Sequence, residues 1–215
     1  MRVLAIDAAG IACSVAVLDR GRVLATRLAE SSRGAASTLP GLVAEALADS
    51  PGTLDAVAAS VGPGGFTGLR AALSLAHGLA LGWGIELIGV SVAEALADAV
   101  GDLGGRALWV ALDSRRGRVF LDRHGVLAAV TLDALPSPGG PVAIAGDAAV
   151  PVAARLAARG SDVLLTAVRQ PRAAGVGRAA VRRARGELPP LPAIPLYVDP
   201  PEARLPVGGL RPSPA

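Results

Sequence analysis

An α/β fold, with helices laid over a mixed sheet, is predicted by three observations on this 215-residue chain. Strand-type and helix-type runs follow one another as βββαβα and then βα, an order that sets helices against a sheet containing parallel strands. A loop reading Val61-Gly62-Pro63-Gly64-Gly65-Phe66-Thr67-Gly68-Leu69-Arg70 joins an apolar strand run to a long apolar helix. Beyond residue 105 the opening pattern starts again.

Taken in order, Arg2–Asp7, Ile11–Leu18 and Arg22–Leu28 are β-type runs parted by Ala9-Gly10 and Asp19-Arg20-Gly21, an antiparallel meander whose first strand ends in a carboxylate. Ser37–Asp49 carries Leu39, Leu42, Val43, Ala46 and Leu47 on one helical face. The strand Leu54–Val61 leads into the glycine loop, and Thr67 stands where it would cap a helix running to about Leu81. Leu87–Val90 is a strand and Val92–Val100 a short helix. The second pass has strands Ala107–Asp113, Arg118–Asp122 and Val126–Val130, then a loop at Pro136–Pro141. Val142–Ala145 turns through Gly146-Asp147-Ala148 into a helix Val150–Arg159, followed by a strand Asp162–Thr166 and an arginine-dense helix Ala173–Arg185. From Leu188 the chain is proline-rich, with Tyr197-Val198 as a last edge strand. Leu4-Ala5-Ile6-Asp7 answers Val110-Ala111-Leu112-Asp113, and Asp19-Arg20-Gly21 answers Asp122-Arg123-His124-Gly125, the mark of a weak internal duplication. The expected division is a lobe at 1–104, a smaller lobe at 105–200 and a proline-rich tail at 201–215.

Composition narrows the chemistry. At 52% hydrophobic the chain has material for a sizeable core. It contains 21 arginines and no lysine, which excludes a Schiff-base lysine, a Walker lysine and a Ser-Lys dyad. The glycine loop is accordingly no P-loop, since Gly68 is followed by Leu69. Residues 1–104 carry net −4 and residues 105–215 net +7. A basic half suits nucleic acid, but with five aromatics (Phe66, Trp83, Trp109, Phe120, Tyr197) a stacking platform is poorly supplied, and a solvated arginine face is the favoured reading. Cys13 stands alone within a strand run, so there is no disulfide framework. The chain starts directly in a strand, without a charged and apolar leader, and no apolar run reaches spanning length; a cytoplasmic location is expected.

Two constellations stand out. Asp7 and Asp113 end matched strands, and across a cleft they could hold a magnesium nucleotide; turn-forming aspartates are the plainer reading. His77 and His124 are the only histidines, in a helix and a hairpin turn, which leaves no metal pair and no hydrolase triad. The helix after the loop is apolar nearly all round. Ala71, Leu75, Gly78 and Gly82 form one stripe, and glycine inside a helix costs about 1 kcal/mol against alanine unless another backbone comes close. Burial within the chain's own domain competes with docking on a partner's helices.

The residues that carry a family likeness are Leu4-Ala5-Ile6-Asp7 with Ala12-Cys13-Ser14-Val15-Ala16, the loop Val61–Arg70, Gly78-Leu79-Ala80, Ile88-Gly89-Val90-Ser91, Ala93-Glu94-Ala95-Leu96-Ala97, Leu112-Asp113-Ser114-Arg115-Arg116-Gly117 and Pro195-Leu196-Tyr197. In order and spacing the chain resembles the TsaB (YeaZ) family. The resemblance implies an actin-like ATPase (ASKHA) fold of two ribonuclease-H-like halves, the second reduced. It implies a non-catalytic subunit of the machinery that makes N6-threonylcarbamoyladenosine beside the anticodon of tRNAs. The implied partners are a TsaD-type catalytic subunit, a TsaE-type ATPase and, through the complex, tRNA; for the isolated chain, a homodimer through the same helices and a monomer are both open. By position the family's docking helices match residues 37–49 and 67–82, so the expected interface is Leu39, Leu42, Val43, Ala46, Ala71, Leu75, Gly78, Leu79 and Gly82. Gly62, Pro63, Gly64, Gly65, Phe66, Thr67 and Gly68 are its structural loop. No cofactor is required of this chain, with ATP or ADP expected, if at all, at a subunit junction. Gly65 stands where the family usually has Ser, His77 where Lys is common, and Ala35-Ala36-Ser37-Thr38 lacks the frequent His-Ser. The alternative is a nucleotide-dependent kinase or ATPase of the same fold using Asp7 and Asp113.

Overall fold

The computed structural model describes residues 1–30 and 35–198; the expected tail at 201–215 lies outside the described residues. Its first half runs β1 (Arg2–Asp7), β2 (Ala12–Asp19), β3 (Arg22–Glu30), α1 (Ala35–Ala48), β4 (Ala56–Gly62), α2 (Phe66–Trp83), β5 (Glu86–Ser91) and α3 (Val92–Ala99). The second runs β6 (Ala107–Asp113), β7 (Val119–Arg123), β8 (Val126–Val130), β9 (Val142–Ala145), α4 (Ala149–Ala158), β10 (Val163–Leu165) and α5 (Ala173–Ala184).

Each half makes a five-stranded sheet, ordered β3-β2-β1-β4-β5 and β8-β7-β6-β9-β10. In both, the first three strands form an antiparallel meander and the last two join parallel to the first. The equivalent hairpins turn through Arg20-Gly21 (φ 51° and 86°) and His124-Gly125 (φ 55° and 83°). Two positive φ angles in a two-residue loop make both type I′ turns, whose twist matches the strands. Order, strand sense and turn type repeat together, so the duplication is real: two ribonuclease-H-like halves in the actin-like arrangement. The second half is the reduced one. Where α1 joins β3 to β4, residues 131–141 join β8 to β9 without a helix and cover the sheet only through side chains such as buried Leu135.

Between Arg2 and Asp7, β1 is apolar because both its faces are covered. Leu4 and Ile6, with Val15, Val17, Val57 and Ala59, meet α1 and α2. Val3 and Ala5, with Ala16, Leu18, Ile88 and Val90, meet Ala173, Val176, Ala179 and Ala180 of α5. Thus α5, though it lies beyond residue 105, packs on the first sheet. Ser91 and Glu94 start α3 with a reciprocal capping box.

Two local expectations are corrected. The N-cap of α2 is Gly65, without a side-chain cap, so Thr67 lies inside the first turn. Tyr197-Val198 is not a strand; the chain here is an irregular strap held by the Leu196 N–H, which donates to the Val61 carbonyl at 2.7 Å.

Candidate functional site

The glycine loop has a steric origin. A Cβ placed on Gly64 would lie 2.8 Å from the Ala9 Cβ and nearer still to the Ala9 carbonyl, and one on Gly68 would strike the Ala8 carbonyl. The Gly65 N–H donates to Ala9 O at 2.8 Å. Gly62 leaves β4 at φ 105°, a conformation natural to glycine alone. The loop is therefore clamped on the turn that follows β1.

Asp7 lies sealed beneath that clamp, 1% exposed. Burial pushes its carboxyl up to about 6, against weaker opposing help from the Ser60 hydroxyl, the Ala9 N–H and the charge of Arg172. That help is modest: the Ala9 N–H reaches Oδ1 at 3.4 Å, and the buried Ser60 Oγ has no well-formed hydrogen bond.

A cleft of about 550 Å³ opens between the loop, the β6–β7 turn and the strap. Phe66, Phe120 and Tyr197 supply aromatic walls; Arg70, Arg115, Arg116 and Arg169 set positive charge against Asp113 and Asp147. The Arg70 guanidinium sits 3.8 Å over the Phe66 ring and donates to the Tyr197 hydroxyl at 2.7 Å. Asp113 is exposed and accepts from the Arg115 N–H at 2.7 Å, while Asp147 accepts from the Asp113 N–H at 2.8 Å. Partial burial raises the Asp147 carboxyl first, and the nearby Asp113 charge adds to it.

The expected pairing of Asp7 with Asp113 is corrected. Asp7 lies five residues beyond Arg2, which pairs with the hairpin-closing Asp19; Asp113 lies four beyond Trp109, which pairs with the equivalent Arg123. One residue of register turns a side chain to the other face of its sheet. Asp7 consequently faces the α5 side, sealed, while Asp113 opens to the cleft. The carboxylate that accompanies Asp113 is Asp147, which sequence reasoning placed at a strand–helix turn without giving it a role. Arg70 and Tyr197, 127 residues apart, were also not paired from sequence.

The second candidate surface is the outer side of α1 and α2. Leu39, Val43 and Ala46 are corrected: each is buried in the chain's own core. Helical periodicity finds the face that an amphipathic helix buries, and the sheet beneath claims it first. Leu42, Ala71, Leu75 and Leu79 are half-buried on the flanks. Gly78 and Gly82 are exposed, and an added Cβ at either meets nothing within 4 Å. Near them stand Leu81 at 85% exposure and Trp83 at 44%, with exposed Gly41 and Ala44 on the neighbouring α1. His77, between these glycine positions and the strap, donates from Nε2 to the Ala193 carbonyl at 2.8 Å. Among the described residues no three His, Cys, Asp or Glu side chains gather as a metal site, and no helix is long and apolar enough to cross a membrane.

Comparison with known proteins fits this geometry. Residues 29–154 match the family model of TsaD, the tRNA N6-adenosine threonylcarbamoyltransferase. The Escherichia coli K12 tRNA threonylcarbamoyladenosine biosynthesis protein TsaB is 38% identical over 124 residues, 56% of this chain and 53% of that protein. The chain thus spans about half the length of this curated relative and of its Haemophilus influenzae counterpart. An uncharacterised Mycobacterium tuberculosis protein is 34% identical over 213 residues, 94% of this chain and 93% of its own. The solved structure of YeaZ from Pseudomonas aeruginosa superposes with a TM-score of 0.74 at 28% identity, over 91% of this chain and 99% of that one. From the glycine clamp to the doubled sheet, sequence and structure agree that this chain belongs to the TsaB (YeaZ) family.

Proposed function

We propose that the chain serves the synthesis of threonylcarbamoyladenosine on tRNA as a non-catalytic subunit, docking a TsaD-type catalytic subunit through the outer side of α1 and α2. The observation that carries this reading is the open notch at Gly78 and Gly82 beside 85% exposed Leu81. Small residues let another helix's backbone approach, and exposed Leu81 and Trp83 near them supply apolar area to bury. The interface is redrawn from the expected one: Gly41 and Ala44 replace Leu39, Val43 and Ala46, while Leu42, Ala71, Leu75, Gly78, Leu79 and Gly82 stay. The first sheet, closed by α5 and the strap, would furnish the lobe that bears this face, and β6–β10 with α4 the second, with a TsaE-type ATPase and tRNA joining through the complex in the cytoplasm. No cofactor is required of this chain, and any ATP or ADP would sit at a subunit junction.

The burial of Asp7 supports a non-catalytic role. Its carboxylate is buried and is not among the groups that line the cleft. Binding could then act on the partner only by favouring one of its conformations over another.

The test is reconstitution with the TsaD-type protein of the same organism. Gly78→Leu and Leu81→Arg are each expected to weaken complex formation at least about tenfold, as filling a notch or burying a charge commonly does. Thermal stability of the isolated chain should be kept, and Asp7→Asn should leave modification activity intact. Undiminished binding by both surface variants refutes the docking face; lost activity with intact binding in Asp7→Asn refutes the non-catalytic role.

A further inference from the structure

The missing helix of the second half leaves a cavity in its place. In the first half, the row Arg2–Asp19–Arg22 crosses β1, β2 and β3 at the hairpin end. The chain leaving α1 closes over that row, where the Arg2 guanidinium donates to the Ser50 carbonyl and, at 2.9 Å, to that of Pro51. The corresponding row of the second half is Trp109–Arg123–Val126, across β6, β7 and β8. No helix joins β8 to β9, and residues 131–141 stand there instead. Leu132 and Leu135 pack on the second core, and Ser137–Pro141 then wall a cavity of about 540 Å³ over the row. It shares no lining residue with the cleft beside the glycine loop.

Arg123 sets the chemistry of this cavity. Its guanidinium lies 5.7 Å from the centre of the Trp109 ring, and the side chain is half-buried. Among the described residues no carboxylate, carbonyl or hydroxyl accepts from it. Arg2, Arg27, Arg106, Arg169, Arg178 and Arg183 are half-buried too, and each donates to a carboxylate or a carbonyl. A guanidinium partly withdrawn from water and left without an acceptor is costly, so a ligand that supplies one is favoured. Stacking on the indole uses the flat face of the group and leaves its N–H edge, a fork matched to the two oxygens of a carboxylate.

The remaining surface selects what that carboxylate is attached to. Ala107, Val126, Pro138 and Pro141 make the lining largely apolar, and Val126 is 61% exposed for want of anything resting on it. Ser137 and the Gly139-Gly140 backbone add neutral polar groups, and no acidic side chain lines the cavity to repel an anion. The volume lies within the range of about 300–1,000 Å³ usual for small-molecule sites.

We propose that this cavity binds a small organic carboxylate, its acid group held by Arg123 and its apolar body lying against Val126 and Ala107 beneath the Ser137–Pro141 segment. The site belongs to the second lobe and does not depend on what the α1–α2 face binds.

Titration of the full chain with 4-phenylbutyrate, followed by nuclear magnetic resonance of the indole N–H groups, tests this. Trp83 and Trp109 are the two tryptophans, so Trp83→Phe assigns both signals. The Trp109 signal should shift with a Kd of about 1 mM or tighter, while that of Trp83 stays in place. The neutral 4-phenylbutanol has the same body, and acetate and inorganic phosphate carry charge alone; each should bind at least about tenfold more weakly. Arg123→Met keeps a stem against Trp109 but removes the charge, and should weaken 4-phenylbutyrate about tenfold. Should that variant misfold, the comparison of acid with alcohol on the wild type decides alone. No Trp109 shift at about 10 mM 4-phenylbutyrate, equal binding of the alcohol, or full affinity in a folded Arg123→Met overturns the proposal.

Discussion

Asp7 shows how a single carboxylate can be present for the fold while being costly to it. Its folded pKa of about 6 lies above the usual value of 3.8, so the folded chain holds that proton more tightly than the unfolded chain does. The linkage sign follows: its contribution is most favourable below pH 4 and is lost as pH rises through 6. A rise of this size corresponds to a penalty of at most about 3 kcal/mol at neutral pH. Asp7→Asn keeps an acceptor for the Ala9 N–H and removes the buried charge. The variant should therefore be more stable than wild type at pH 8, by about 1–3 kcal/mol, and indistinguishable from it at pH 4. Urea unfolding at both values checks this; a variant equally or less stable at pH 8 would show that the carboxylate is not held in a raised state.

At the scale of elements, α2 carries two kinds of glycine with opposite consequences. Gly68 lies against the Ala8 carbonyl, where a side chain has no room; Gly78 lies one helix face away, in open space. Gly68→Val should destabilise the chain by about 2 kcal/mol or more through forced displacement of the β1–β2 turn. Gly78→Ala should stabilise it by about 0.5–1 kcal/mol through helix propensity. Chemical denaturation of the two variants decides, and equal signs would refute the distinction. This contrast also marks where the sequence was legible. Strand runs, the helix after the loop and the repeat were readable because period 2, period 3.6 and turn residues are local signals, and β1, β6, β8 and β9 match their expected bounds residue for residue. What was not readable is which side of an element faces out. Leu39, Val43 and Ala46 looked like a docking stripe because periodicity does not say whether a stripe meets its own sheet or another protein. The Asp7–Asp113 match failed for a related reason: equal positions at strand ends hide a one-residue difference in register, which only the ladder reveals.

For the whole molecule, the decisive feature is that α5 and the strap return to the first sheet after the second has been built. Val3, Ala5, Ala16, Leu18, Ile88 and Val90 make one face of that sheet, and Ala173, Val176, Ala179 and Ala180 of α5 cover it. The tie is electrostatic as well as apolar: Arg183 is paired with Glu94 of α3 at 2.5 Å, and Arg178 with Asp98 at 2.6 Å. Further along, the strap buries part of Leu191, Ala193 and Leu196 against the α2 side of the same sheet. Residues 1–104 alone would therefore expose a sheet face built for burial, with six aliphatic side chains each forfeiting about 1–3 kcal/mol of transfer free energy, Ala less. A fragment of residues 1–104 is accordingly expected to bind a hydrophobic dye and to unfold without a cooperative transition, whereas the full chain unfolds in one. Adding back residues 173–198 as a fusion through a flexible linker, with the second sheet omitted, should restore cooperative unfolding, because it supplies the missing layer. A cooperative, dye-silent 1–104 fragment would mean that α3 alone can close the face, and that the two halves are joined by less than the packing of α5 indicates.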